Sequence, residues 1–236
     1  MTLDAAFASP ESKRRHVRQL FATIADRYDL ITKVLSYGQD AAWKAKLVAL
    51  ADVRTGDRAL DLAAGTCDIA FAIASRGAVV VASDITHRML QLASAKSTAA
   101  SLVTGDMGSL PFRSCSFDLV TTGYGLRNVP ELTTAIDEIA RVLRPGGRLL
   151  SLDFNRPENA IVRAAYLGYL FVAGSLLGWI LHRDPDTYRY IPASIKRYPG
   201  ARGVADRLAA RGFDHVTVIP LLFGLMAIHV ARRSGR

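Results

Sequence analysis

The sequence is poor in cysteine and lacks a long uninterrupted apolar run, and we expect no secretory signal. Two cysteines among 236 residues exclude a disulfide framework and a thiolate zinc cluster, which would need more ligands at closer spacing. The first 20 residues hold no apolar signal core, and no run of 20 or more apolar residues occurs. We therefore expect a reduced, cytoplasmic protein with one substantial core.

Acidic residues are outnumbered by basic ones. Thirty Lys and Arg against 21 Asp and Glu give a formal net charge of +9, and 50% of the residues are hydrophobic. This hydrophobic content excludes wholesale disorder. The charge favours an anionic partner: nucleic acid, a membrane surface or an acidic small molecule. Since the sequence has no helix-turn-helix, RNP-like or KH-like pattern, we expect no nucleic-acid partner.

Short apolar runs end repeatedly in an acidic residue or a glycine, and helical patterns separate them. Both faces of these runs are apolar, as in parallel strands that helices cover on both sides. This alternation predicts an α/β fold with a parallel sheet. The predicted strands span residues 58–62, 79–83, 101–103, 117–122 and 148–154, and the predicted helices nearby span residues 40–50, 69–75 and 86–96.

The end of the chain departs from this alternation. A predicted helix over residues 201–211 precedes two apolar runs, 216–222 and 225–231, with only Phe223 and Gly224 between them. So short a connection predicts an antiparallel hairpin. We expect a seven-stranded, mostly parallel sheet that closes with this C-terminal hairpin. That architecture resembles the Rossmann-like fold of class I S-adenosylmethionine-dependent methyltransferases.

The remaining patterns predict the organisation of a single domain. The first dozen residues read as a frayed terminus, before basic residues 13–18 open a helix. The helical stripe of residues 136–143 is expected to stop at Pro145. We divide the domain into an N-terminal helical cap (residues 1–57), a cofactor-binding core (58–156), an apolar lid or membrane-facing insertion (157–200) and a final helix with strands (201–236).

An uncharged stretch of 18 residues, 164–181, is the most apolar part of the chain. As a helix it would be about 27 Å long, slightly short for a membrane span. A spanning helix would also separate the last predicted strands from their sheet. We interpret the stretch as a lid or interfacial helix that admits an apolar substrate tail; a buried core helix is the alternative.

Five residues follow predicted strands at the edge where open α/β sheets bind ligands. They are Asp61, Gly65, Asp84, Asp106 and Gly123. There Asp84 can accept hydrogen bonds from ribose hydroxyls, and Asp106 can receive an adenine amino group. GxGxxG is absent, so a nucleoside fits better than a dinucleotide. Each acid taken alone could instead be a helix N-cap or turn residue.

Seven ordered motifs resemble those of the ubiquinone/menaquinone biosynthesis C-methyltransferases, over about residues 16–233. The most distinctive, YGLRNVPE at residues 124–131, is similar to the family's FGLRNxxD. The others are RYDLITKVLSYGQDAAWK (27–44), LDLAAGTCDIA (60–70), SDITHRML (83–90), GDMGSLPF (105–112), RVLRPGGRLLSLDFNRP (141–157) and YRYIPASIKRYP (188–199).

The resemblance implies an enzyme that transfers a methyl group from S-adenosylmethionine to a ring carbon of a polyprenylated quinol. The acceptor would be demethylmenaquinol, a 2-polyprenyl-6-methoxy-1,4-benzoquinol, or both. No metal is required. Cofactor contacts are expected from the strand-end residues above and from Thr66, Ile85 and Met107.

The resemblance also implies a catalytic neighbourhood around Arg127, Asn128 and Tyr28. An arginine stays protonated, so Arg127 would stabilise a phenolate or orient a water rather than act as the base. Substrate-side or lid positions fall on Tyr124, Tyr188 and Tyr190. For Tyr28, Tyr188 and Tyr190, core or interface packing is the alternative. His182 and His229 are further candidates for the base.

The chain departs from the family pattern at four positions. Ala63 and Cys67 stand where glycines are usual, and Cys67 would add volume beside the expected methionine moiety. Gly123 replaces a frequent serine, and Thr32 an asparagine. These departures keep two alternatives open: a methyltransferase with another lipid or phenolic acceptor, and a non-catalytic membrane-associated scaffold of the same fold.

Charge near the apolar stretch favours membrane contact. Residues 182–236 contain ten Lys and Arg and four Asp and Glu, so +6 of the net charge follows the stretch. Basic residues beside an apolar helix favour anionic lipid. We expect a cytoplasmic protein held peripherally at the inner face of the membrane, with a homodimer left open.

Overall fold

A single mixed sheet runs through the described part of the chain, residues 3–235 of the computed structural model. It contains seven strands in the order β3-β2-β1-β4-β5-β7-β6. The strands are β1 (Arg58–Leu62), β2 (Val79–Asp84), β3 (Ser101–Thr104), β4 (Phe117–Gly123), β5 (Leu143–Phe154), β6 (Phe213–Leu221) and β7 (Met226–Arg233). The first five are parallel, and β7 is antiparallel to both β5 and β6. The predicted parallel sheet with a C-terminal antiparallel hairpin is confirmed.

Helices cover both faces of this sheet and extend beyond it. They are α1 (Leu3–Ala6), α2 (Pro10–Ile24), α3 (Tyr28–Leu35), α4 (Asp40–Leu50), α5 (Asp68–Ala74), α6 (His87–Lys96), α7 (Leu132–Val142), α8 (Ala160–His182), α9 (Tyr190–Arg197) and α10 (Gly200–Ala209). Short 3-10 turns at Ala25–Arg27 and Leu222–Gly224 follow α2 and β6.

The two faces of the sheet bury separate hydrophobic clusters. In β1, Ala59 packs with the cluster of α4, α5 and α6, and its neighbour Leu60 packs with that of α7 and α10. In β4, Leu119 and Val120 divide in the same way. Since successive side chains of a strand point to opposite faces, this division is the direct consequence of a sheet covered on both sides.

Two predicted boundaries were wrong. The helix α7 ends at Val142, and Leu143, the first residue of β5, already pairs with Phe117 of β4. Pro145 therefore lies inside a strand with a register irregularity and does not separate helix from strand. The first dozen residues are also more ordered than predicted: Ala6 is buried, and helix α2 begins at Pro10 with Ser9 accepting the Ser12 N–H. Met1 and Thr2 lie outside the described residues.

Helix α8 is apolar but largely uncovered. Four of its residues are buried, Tyr166, Leu170, Gly174 and Gly178, which leaves 22% of its apolar window buried. Within residues 3–235 it is the one helix long and apolar enough, by length and composition, to cross a membrane. The alternative of a buried core helix was therefore wrong.

Candidate active site

The loop after β1 turns sharply beneath the carboxyl edge of the sheet. Ala63, Gly65 and Cys67 all have positive φ, at 50°, 55° and 66°. A side chain in this left-handed region costs about 1–2 kcal/mol relative to ordinary backbone, a cost that glycine avoids. This explains structurally why glycine suits positions 63 and 67 and why the two substitutions in this chain strain the loop.

The Cys67 side chain lies away from the ligand pocket predicted for it. It is fully buried in the α4–α5–α6 cluster, with Sγ 3.9 Å from the Gly65 carbonyl oxygen. Burial raises the pKa of its thiol to about 12. The expectation that Cys67 adds volume beside a methionine moiety was wrong, because the left-handed turn directs the side chain into the core.

Asp84, at the end of β2, organises the loops around it. One carboxylate oxygen accepts the Gly65 N–H at 2.8 Å and the other accepts the Thr86 N–H at 2.7 Å. Burial raises the pKa of this carboxyl, while the two backbone donors act in the opposite direction. Each oxygen retains a further lone pair, so Asp84 can still accept hydrogen bonds from a ligand.

Asp106 follows β3 and faces the N-terminal helix α2. Its Oδ2 lies 2.7 Å from Nε of Arg14, and its Oδ1 accepts the Gly108 N–H at 2.9 Å. Met107, the next residue, is buried in the same wall. Arg14 is a site residue that we did not predict, because only the tertiary fold brings helix α2 over the sheet edge.

A cavity of about 660 Å³ opens between α2 and these strand ends. Its lining includes six of the eight predicted cofactor residues and two predicted catalytic residues, namely Gly65, Asp84, Ile85, Asp106, Met107, Gly123, Tyr28 and Asn128. Two acids at its edge and apolar side walls fit a nucleoside. The buried Oδ1 of Asn128 has no hydrogen-bond partner within residues 3–235, so it can receive a donor from a ligand. The residues present therefore fit S-adenosylmethionine.

Asp61 and Thr66 line a smaller adjoining cavity of about 290 Å³ instead. Asp61 accepts the Thr121 hydroxyl at 2.7 Å, and burial raises the pKa of its carboxyl to about 7. Thr66 donates to Asp29 at 2.7 Å. Gly123 and Tyr28 line this cavity as well as the larger one, so the two cavities share walls and can hold two parts of one ligand.

A second large cavity, of about 820 Å³, lies between α2, α3, α8 and α9. Its lining residues are mostly aliphatic and aromatic, and Arg127 carries the charge among them. Three residues line both large cavities: Phe21, Tyr28 and Tyr124. A ligand in the apolar cavity therefore meets the cofactor cavity across these three side chains.

Arg127 reaches the apolar cavity as part of a buried polar cluster. Its Nε lies 3.4 Å from Oδ1 of Asp153, its Nη1 donates to Ser194, and its guanidinium stacks over Phe154 with 5.0 Å to the ring centroid. Its backbone N–H also donates to Asp153, at 3.0 Å. Asp153 compensates the charge of Arg127 and fixes its direction, which we had not predicted although Asp153 lies in a quoted motif.

The predicted tyrosines line the same cavities. Burial raises the pKa of Tyr28 to about 12. Tyr188 pairs its hydroxyl with Nε2 of His182 at 2.8 Å, and Tyr190 stacks on Phe7. Both Tyr188 and Tyr190 line the apolar cavity, as a substrate-side role requires.

The two histidine candidates for the base lie outside these cavities. His229 is buried between Ser151 and the Ala201 carbonyl oxygen, at 3.0 and 2.9 Å. His182 contacts the cavity only through the Tyr188 hydroxyl. Both therefore have structural partners. Within residues 3–235, no three His, Cys, Asp or Glu side chains are arranged to hold a metal ion.

Solved structures share this fold. The chain resembles the putative methyltransferase in complex with the Trm112 methyltransferase activator of Haloferax volcanii (TM-score 0.68, 18% identity, covering 91% of this chain and 97% of that one). It also resembles the Haemonchus contortus phosphoethanolamine N-methyltransferase 2 in complex with S-adenosyl-L-methionine (TM-score 0.61, 15% identity, 82% and 52%). The fold is that of class I methyltransferases.

Sequence comparison narrows the class to a family. The model of the ubiE/COQ5 methyltransferase family matches residues 9–233. A demethylmenaquinone methyltransferase of Mycobacterium sp. (strain KMS) is 38% identical over 97% of this chain and 99% of its own length. The ubiquinone/menaquinone biosynthesis C-methyltransferase UbiE of Pseudomonas fluorescens (strain SBW25) is 38% identical over 93% and 90%. This chain belongs to the ubiE/COQ5 methyltransferase family, and it is an S-adenosylmethionine-dependent methyltransferase.

Proposed function

We propose that this enzyme methylates a ring carbon of a polyprenylated quinol in respiratory quinone biosynthesis. The observation that carries the proposal is the apolar cavity of about 820 Å³ that meets the cofactor cavity at Tyr28 and Tyr124. An aromatic head group and the first part of its apolar tail fit such a lining. The names of the family relatives support demethylmenaquinol or a polyprenyl-benzoquinol as the acceptor.

The chain's own residues supply position and charge. S-adenosylmethionine supplies an electrophilic methyl group when it is bound. Tyr28 and Tyr124 restrict where a planar ring can lie between the cavities, and orientation of this kind contributes much of the rate of a methyl transfer. Arg127, held by Asp153, can stabilise negative charge on an acceptor oxygen.

We further propose that α8 lies on the membrane surface and that the quinol enters beside it. Apolar side chains protrude along the helix, with Ile161 81%, Val172 67% and Trp179 65% exposed. Tyr37 of the α3 C-terminus stacks on Tyr169 of α8, 5.8 Å between ring centroids, and both line the apolar cavity. The cavity rim thus adjoins the exposed apolar face, where a polyprenyl tail can remain in lipid.

Basic residues flank that face. Arg163 lies near the start of α8, Arg183 follows its end, and Lys33 is exposed on the neighbouring α3. Such residues favour the anionic inner leaflet, where we place this protein peripherally. A second copy of the chain is the other occupant that an apolar face of this kind can take.

Vesicle flotation tests the membrane proposal. We expect the wild type to float with anionic vesicles and the double variant Val172→Asn, Trp179→Gln to stay in solution. Val79→Asn is the matched control, since Val79 is 65% exposed on the sheet. Equal flotation of both variants would contradict the proposal. A wild type that forms a dimer in solution and does not float would assign the face to a second copy.

The methylation itself can be tested with purified protein and S-adenosylmethionine carrying a labelled methyl group. We expect label in a prenylated demethylnaphthoquinol, a prenylated methoxybenzoquinol or both, recovered on a ring carbon. Deleting the gene should abolish quinone methylation in the cell. Labelling of a soluble phenol with none on either prenylated quinol would favour another acceptor class.

A further inference from the structure

Tyr124 carries a hydroxyl to the boundary between the two large cavities. The side chain is 8% exposed and lines both of them, and its Oη donates to Oδ1 of Asp40 at 2.7 Å. The family motif that residues 124–131 resemble has phenylalanine here. The hydroxyl and its carboxylate partner are therefore features of this chain that the resemblance does not imply.

Asp40 is also part of an ion pair. Its Oδ2 lies 2.6 Å from Nζ of Lys44, one helical turn further along α4, and Lys44 is in turn 3.0 Å from Asp68. Asp40 also occupies the first turn of α4, where the helix dipole favours a negative charge. Burial lowers the pKa of Lys44, but the attraction of the two carboxylates outweighs it, so the pKa is raised.

We propose that Tyr124 and Asp40 form the proton relay that activates the acceptor hydroxyl, an inference that rests on the proposed quinol methylation. The acceptor O–H proton passes to Oη of Tyr124 while the tyrosine's own proton passes to Asp40. The O–H electron pair becomes the carbonyl π bond, and a ring π pair forms the new carbon–methyl bond. The pair of the broken carbon–sulfur bond stays on sulfur.

Aromaticity then returns with one net proton released. The proton on the methylated ring carbon leaves to solvent, and its bonding pair restores the ring. The carbonyl oxygen takes a proton back from Tyr124, which recovers its own from Asp40. No oxidant or reductant enters, and the dyad ends as it began.

A carboxylate is basic enough because the acceptor hydroxyl becomes a strong acid as the ring gains the methyl group. Tyr124 cannot retain a net negative charge, since burial and the adjacent Asp40 raise its pKa well above 10. It must therefore release one proton as it receives another. The other titratable groups that face the pair are Lys44 on α4, Tyr28 on α3 and Asp153 on β5.

The test compares Tyr124→Phe and Asp40→Asn with two matched controls. Tyr198→Phe removes another buried tyrosine hydroxyl, and Asp57→Asn removes a carboxylate that is paired with Arg148 and 13% exposed, against 14% for Asp40. We expect kcat on the prenylated quinol to fall about 100-fold in each relay variant. Dissociation constants for S-adenosylmethionine should stay within twofold, and the double variant should be no slower than the slower single one.

The pH profile separates a relay from a structural role. Quinol hydroxyls ionise near pH 10, as phenols do. We therefore expect the deficit in kcat of Tyr124→Phe and Asp40→Asn, relative to the wild type, to shrink at least tenfold between pH 7 and pH 10. A loss that is constant with pH, or kcat within threefold of the controls, would overturn the relay alone. A wild type inactive on both prenylated quinols would overturn the proposed function and the relay together.

Discussion

The two large cavities are built from different parts of the molecule. The cofactor cavity is formed mainly at the carboxyl ends of the parallel strands, with α2 on its other side, and the strand backbone is fixed by the sheet and by bonds such as Gly65 N–H to Asp84. The apolar cavity is formed by helices outside the sheet, mainly α2, α3, α8 and α9. The sheet edge therefore determines where the cofactor can bind, whereas helix packing shapes the cavity for the acceptor.

Of the variants that distinguish the two cavities, Asp84→Ala is expected to have the largest effect, on cofactor affinity. The change removes a carboxylate that faces the cofactor cavity and accepts two loop N–H groups. We expect cofactor affinity to weaken by about 1–3 kcal/mol, measured by isothermal titration. Glu158→Ala, in an exposed ion pair, is the control. Unchanged affinity in a folded Asp84→Ala protein would remove Asp84 from the cofactor site.

Leu35→Gln should act on the other cavity. Leu35 lines the apolar cavity, and a polar amide there disfavours an apolar tail. We expect KM for the prenylated quinol to rise about tenfold, on the order of 1.4 kcal/mol, with cofactor affinity unchanged. Leu50→Gln places the same change on a half-buried residue of α4 away from the cavity. Equal KM values in the two variants would contradict the assignment.

The cofactor side was largely predictable from sequence, for a physical reason. Strand-end acids such as Asp84 and Asp106 follow apolar runs, and parallel strands bring their ends to one edge. Contacts made by the helical cap were not predictable in this way. The ion pair of Arg14 with Asp106 and the hydrogen bond of Tyr124 to Asp40 join residues that are distant in the chain. No local periodicity encodes such pairs.

Side-chain direction was the other limit. Cys67 lies in a quoted cofactor motif, yet its left-handed backbone turns Sγ into the core. Arg127 was predicted near the catalytic centre and lines the apolar cavity, but its orientation depends on Asp153 and on Ser194 from α9. A motif thus identifies which residues lie near a site, while packing decides where each side chain points.

Asp61→Asn tests a buried acid of the smaller cavity that adjoins the cofactor cavity. Burial raises the pKa of Asp61 from 3.8 to about 7, so the folded protein favours the protonated acid. The wild type therefore loses free energy of unfolding as pH rises from about 4 to about 7, and asparagine, which cannot ionise, avoids this loss. We expect the variant to be more stable by on the order of 2 kcal/mol above pH 7 in urea unfolding without cofactor. A difference independent of pH would contradict the raised pKa.

The smallest effect is expected from Ala63→Gly, which tests whether strain in the loop after β1 lowers the stability of the fold. Ala63 has φ 50° and lines the cofactor cavity. Glycine removes the left-handed strain but gives the unfolded chain more freedom, so the net gain in free energy of unfolding should be about 1 kcal/mol or less. Ala72→Gly, within the helical backbone of α5, should instead lose about 1 kcal/mol. If Ala63→Gly loses as much free energy of unfolding as this control, then Ala63 is not strained, and alanine at this position does not destabilise the fold.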